Sequence, residues 1–229
     1  SAIKTFNWLG TLWGGSITFQ SPMLYALAFV SMFVIGGLSG IYMAATPVDI
    51  FIHDTYFIVG HIHYVVFGGS IFAIFGAITY WFPKLFGRMM NEPLAKIHFW
   101  GTLIFFNLTF FPMHIIGIGG HMRRIYNPMQ YEFLQPLQHW NVLMTVGALC
   151  LGAVQIIFAI NFFYSLFAGK KAERNPWRAN TLEWETANPV PHGNFGTIPT
   201  VYRGPYEYSV PGEKEDFLPQ AMPGRPGGH

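Results

Sequence analysis

Four long apolar stretches, each nearly free of charge, constrain this chain more than any other feature of its sequence. A bilayer core about 30 Å thick is crossed by about 20 apolar helical residues, and each stretch has that length. Spans are expected from Pro22 to about Ala45, from about Tyr56 to Phe82, from about Ala95 to Gly119 and from about Trp140 to Phe167. Lipid offers no partner to a backbone N–H or C=O, so spans of this kind are helices. Residues 1–13 are also apolar and read as the end of a fifth helix. Composition agrees: 10% of the residues are charged, against about 25% in an average soluble domain. The expected fold class is therefore an all-α, polytopic transmembrane helical bundle.

Smaller features fit this frame. Pro22, Pro83, Pro93 and Pro136 fall at span edges, where proline is tolerated. Pro112 lies within the third span and predicts a kink. The net charge of +2 is too small to point to nucleic acid. The one cysteine, Cys150, excludes an internal disulfide and reads as packing within an apolar run. Ser1-Ala2-Ile3-Lys4 lacks the pattern of a signal peptide. A start in apolar sequence without Met reads as a segment of a longer polypeptide or a split subunit.

Basic residues set the orientation. Lys84, Arg88 and Lys96 lie between the second and third spans, and Lys170, Lys171, Arg174 and Arg178 follow the fourth. The positive-inside rule puts these on the cytoplasmic or matrix side. Asp49, His53, Asp54, Arg123 and Arg124 then share a layer on the outer side. The chain divides into a membrane part, residues 1–169, and an extended, proline-rich inner-side tail, residues 170–229. The tail carries most of the 16 prolines and no apolar periodicity, so it is expected to drape over partners or to be partly disordered.

The chemistry concentrates between His53 and Tyr64. Ionisable residues at membrane depth are functional candidates. His61 and His63 are two residues apart, about 200° around a helix, so they face opposite sides. One small ion does not suit both; two large cofactors, one on each side, do. Neutral imidazole is a common axial ligand of heme iron. Two histidines bonded to neighbouring helices explain the spacing equally well. Arg123-Arg124 favours the cofactor: adjacent guanidinium groups match heme propionates, on the side otherwise poor in positive charge. Headgroup-facing cations are the plainer alternative. His53 and Asp54, with Asp49 one turn earlier, form a polar cluster suited to Mg²⁺ with water and a ligand from another subunit. Helix capping is the simpler role for Asp54. Lys4, in apolar sequence, costs about 2.5–3.5 kcal/mol at a bilayer centre, so it either snorkels or belongs to a proton path. His98, His114, His121 and His139 form no pattern and read as structural.

The stretch His53 to Tyr64 resembles the heme-ligating helix of subunit I of heme-copper oxidases, of the cytochrome c oxidase type. Similar motifs follow in order: Trp81-Phe82-Pro83, Ala95 to Phe99, Asn107 to Pro112, and Arg123-Arg124. Ile3 to Leu9 and the Gly14-Gly15 loop match as well. The resemblance covers residues 1 to about 170; beyond Asn180 little aligns. It implies the last four to five of twelve spans. It makes His61 the ligand of the high-spin heme at the oxygen-reducing site and His63 one of two ligands of the low-spin heme. Arg123 and Arg124 become propionate partners, Asp49 part of the propionate region, His53 and Asp54 Mg²⁺ ligands, and Lys4 the proton-channel lysine.

Further consequences are two hemes, heme a type expected, and copper whose ligands precede residue 1. The expected partners are the remainder of subunit I, oxidase subunits II and III, cytochrome c and the lipid bilayer. The expected location is the bacterial cytoplasmic membrane, with the mitochondrial inner membrane as the alternative. Ile62 departs from the Phe usual between the two ligands, which alters packing between the hemes rather than ligation. The implied activity is reduction of O2 to water with electrons from cytochrome c, coupled to proton pumping. Asp54 fits cytochrome c as donor, since quinol oxidases tend to carry Asn there. A quinol oxidase of the same superfamily and a non-catalytic heme-carrying membrane protein are the alternatives.

Overall fold

The computed structural model describes residues 1–224. Among them the regular structure is helical, with two isolated β-bridges, Thr55–Met122 and Arg88–Lys171. Helix α1 covers Ala2–Leu12, α2 Ser21–Ala44, α3 Thr46–Ile52 and α4 Tyr56–His63. A π-helical segment, Tyr64–Ile71, continues α4 directly into α5, Phe72–Phe86. Helix α6 covers Glu92–Ile118 and α7 Gln138–Ala168. Four segments are long and apolar enough to cross a membrane: Ser21–Ala44, Tyr56–Phe86, Glu92–Ile118 and Glu132–Ala168. All four expected spans are present, and α1 stands where the fifth was expected.

The differences lie at the ends. The third span starts at Glu92 rather than Ala95, because Glu92 is engaged. Its carboxylate accepts from the Ser21 amide at 2.8 Å and the Ser21 hydroxyl at 2.7 Å, satisfying one free donor at the start of α2. Pro83 was expected at an edge but lies within α5. Losing one N–H donor near a helix end is tolerated, since neighbouring groups can satisfy the freed carbonyl. Pro112 is within α6, as expected.

The described chain forms two compact units. One comprises Ser1–Tyr80 with Glu92–Phe162; the other comprises Trp81–Asn91 with the chain from Phe163 onward. The core of the first joins Tyr25, Ala28 and Met32 of α2, Tyr64 and Phe72, Phe99 and Phe106 of α6, and Leu151 of α7. Between membrane helices close packing supplies the attraction that water expulsion supplies elsewhere. Gly117 shows how tight this is: a Cβ there would lie 2.2 Å from the Phe57 backbone nitrogen, so α4 and α6 meet without a side chain between them.

In the second unit the tail is irregular but not extended. Trp184, in the short 3₁₀ turn Leu182–Glu185, is fully buried. Lys84, expected as an inner-side cation, is itself buried. Its ammonium donates to the Thr186 carbonyl at 3.0 Å and hydroxyl at 2.8 Å, and lies 4.8 Å from the Trp184 ring centre. Arg88 donates to the Gly169 carbonyl at 2.6 Å. Tail residues Thr186 and Trp184 thus pack on Lys84 of α5. Residues 225–229 of the expected tail lie outside the described residues.

Candidate cofactor site

Thr55 begins the site by capping α4, its hydroxyl accepting from the Phe57 amide at 3.2 Å. This corrects the reading of Asp54 as the cap. Asp54 instead adopts a left-handed backbone, φ 55°, and turns its carboxylate to Arg123. Helix α4 then carries His61 and His63, both half-buried.

The two rings face different neighbours, as the helical period requires. The Nδ1–H of His61 reaches α2, 2.8 Å from the Gly36 carbonyl and 2.9 Å from the Ser39 hydroxyl. A Cβ on Gly40 would sit 3.0 Å from its Cε1, so α2 also abuts the edge of the ring. His63 lies toward α6. Its Nδ1–H donates to the Val59 carbonyl one turn back at 2.8 Å, and its ring stacks on Phe110, centroids 4.2 Å apart at 12°. A carbonyl accepts only from a protonated nitrogen. Both rings are therefore held with the proton on Nδ1 and the lone pair on Nε2. Neither Nε2 is hydrogen-bonded among the described residues. A metal-bound histidine takes this arrangement, its second nitrogen fixed by a carbonyl. The donor set therefore fits two axial ligands for two separate hemes.

The residues expected on the outer side come together in part. Arg123 Nε donates to Asp54 Oδ1 at 2.7 Å, with Arg123 Nη2 closing a second contact to the same oxygen. The Arg123 amide donates to the Asp54 carbonyl at 3.0 Å. The Arg123 hydrogen bond, opposed in part by desolvation, holds the Asp54 carboxyl below its ordinary value. Arg124, also left-handed at φ 67°, is exposed and makes no hydrogen bond or ion pair among the described residues. His53 lies 3.7 Å from Asp54 Oδ2 and 3.9 Å from Asp49 Oδ2. Among the described residues no cluster of three or more acidic, histidine or cysteine side chains is arranged to hold a metal. His53 and Asp54 by themselves form no such cluster. Lys4 is exposed on α1.

Ser39 and Gly36 escaped sequence reasoning, because nothing local to His61 points to them. The remaining histidines divide. His98 accepts from the Tyr25 hydroxyl at 2.5 Å and donates to Gln155 at 3.0 Å. His121 donates to the Met122 carbonyl at 3.0 Å and accepts from Asn141 at 3.1 Å. Both are structural in the expected sense. His114 differs: among the described residues both ring nitrogens are buried without a hydrogen-bond partner. A Cβ on Gly60, the residue before His61, would lie 2.9 Å from its ring.

Residues 1–150 match the family described as Cytochrome C and Quinol oxidase polypeptide I, and the chain belongs to that family. The cytochrome c oxidase subunit 1 of Synechocystis sp. is 54% identical over 216 residues, covering 94% of this chain and 38% of that protein. The alternative cytochrome c oxidase subunit 1 of Bradyrhizobium diazoefficiens is 46% identical over 226 residues, covering 97% of this chain and 38% of that protein. A solved chain of a heme-copper terminal oxidase dimer has the same fold, with TM-score 0.59 at 24% identity over 67% of this chain and 28% of that one. The chain thus spans well under half the length of these relatives. Four spans and bacterial relatives make it an integral protein of the bacterial cytoplasmic membrane.

Proposed function

We propose that the chain is the C-terminal, heme-bearing portion of the catalytic subunit of a respiratory terminal oxidase. That enzyme takes electrons from cytochrome c, reduces dioxygen to water and moves protons outward. One observation carries the reading: two histidines on one helix, facing different helices, each with Nδ1 fixed on a carbonyl and Nε2 unbonded. His61 is the ligand of the high-spin heme and His63 one ligand of the low-spin heme. When bound, hemes of the a type supply one-electron transfer and, at the high-spin iron, a place for dioxygen to bind.

The chain's own residues do the rest. The α2 carbonyl and hydroxyl orient His61, and the Val59 carbonyl and Phe110 ring orient His63. Arg124 is open to a propionate, while Arg123 serves through its anchor on Asp54. Asp49 belongs to the same propionate region. His53 and Asp54 supply two ligands to Mg²⁺, completed by water and a group from another subunit. Lys4 delivers protons once the remainder of subunit I buries α1. Copper is held by that remainder, and subunits II and III complete the assembly in the bilayer.

Oxygen uptake by the purified complex tests the proposal. Reduced cytochrome c is expected to support uptake. Uptake with quinol and none with cytochrome c would make the complex a quinol oxidase. Neither uptake nor a heme–copper spectrum would leave a non-catalytic heme carrier.

A further inference from the structure

The two proposed ligands are held by unlike means. His63 is bonded to its own helix, one turn back, an acceptor any helical histidine can find. His61 is held from α2, by two oxygens three residues apart. Ser39 is buried, 7% exposed. Its hydroxyl donates to the Gly36 carbonyl at 2.8 Å, so its proton is committed and its lone pairs face the Nδ1–H of His61 at 2.9 Å. The same Nδ1 lies 2.8 Å from the Gly36 carbonyl. Gly36 O, Ser39 Oγ and His61 Nδ1 thus form a closed triangle.

A serine in a membrane helix commonly bonds back to its own helix, which accounts for the Ser39–Gly36 bond. It does not account for a buried hydroxyl placed on the neighbouring imidazole. We propose that Ser39 is a positioning residue for His61, acting as a second acceptor for Nδ1–H; this rests on His61 being a heme ligand. Two effects follow. Acceptors on α2, with Gly40 against the ring edge, fix the rotation of the imidazole. A hydroxyl that donates while accepting is polarised by its own bond, so it draws more strongly on the Nδ1 proton. That makes Nε2 a stronger donor to whatever it binds.

The test uses the whole assembled oxidase carrying Ser39→Ala, Ser39→Thr or His61→Ala. The readout is the iron–histidine stretching band of the reduced high-spin heme, with heme content measured alongside. The band is expected in the parent enzyme and absent in His61→Ala. In Ser39→Ala it shifts to lower frequency and broadens, because the ring loses one anchor and Nε2 becomes a weaker donor. Ser39→Thr, which keeps the hydroxyl, returns it to the parent position. An unmoved band in Ser39→Ala overturns the role of Ser39 while leaving His61 as ligand. A shift in Ser39→Thr as large as in Ser39→Ala also overturns it, since packing alone would then be responsible. A parent band that survives His61→Ala overturns both this inference and the heme assignment beneath it.

Discussion

At the residue scale, what matters is how each ionisable side chain is fixed before any cofactor binds. Asp54 and Arg123 come from loops far apart in sequence and meet through side chains and backbone alike. The guanidinium lowers the Asp54 carboxyl below its ordinary value of 3.8. A depressed acid stabilises the fold when ionised. That contribution is fully present above the ordinary value and is lost as pH falls through the lowered one. Asp54 is exposed, so the effect is small and weakens with salt. Acid unfolding of the parent and of Asp54→Asn is therefore expected to differ at neutral pH and to converge as pH falls through the lowered Asp54 value. Identical stabilities across the whole range would show that the pair contributes nothing. His114 presents the opposite case: its ring nitrogens are buried without a hydrogen bond among the described residues, and its ring packs edge-on against Phe57 and Tyr64.

At the scale of elements, the close meeting of α4 and α6 sets where His63 points. The absence of a side chain at Gly117 permits it. Gly117→Ala would place a methyl group 2.2 Å from the Phe57 nitrogen, and α4 would have to shift. Overpacking of this kind costs on the order of 1–3 kcal/mol or more. The purified complex is expected to melt at a lower temperature and to lose low-spin heme before high-spin heme, since His63 faces α6. Unchanged melting and heme content would mean that α4 and α6 can separate freely. The helices themselves were legible from the sequence, because apolar runs of membrane length have few alternatives. The π-helical segment after His63 was not. An i→i+5 pattern leaves no signature in a run as uniformly apolar as Tyr64–Ile71. The folded tail was equally hidden, because the burial of Lys84 depends on Thr186, 102 residues later.

For the molecule as a whole, the opposite facing of His61 and His63 was legible from a two-residue spacing on a helix. That Asp54 and Arg123 share one layer followed from charge and span order, and they meet in the structure. The acceptors on α2 were not legible, since Gly36 and Ser39 lie 25 and 22 residues before His61 and meet it only through helix packing. On the proposed reading, the fixed Nδ1 protons make the two histidines ligands for two different hemes. That central claim is tested most directly by optical spectra of the assembled complex carrying His61→Ala or His63→Ala. His61→Ala is expected to remove the high-spin signal and retain part of the low-spin one, and His63→Ala to remove the low-spin signal. Normal high-spin and low-spin signals in both variants would contradict it.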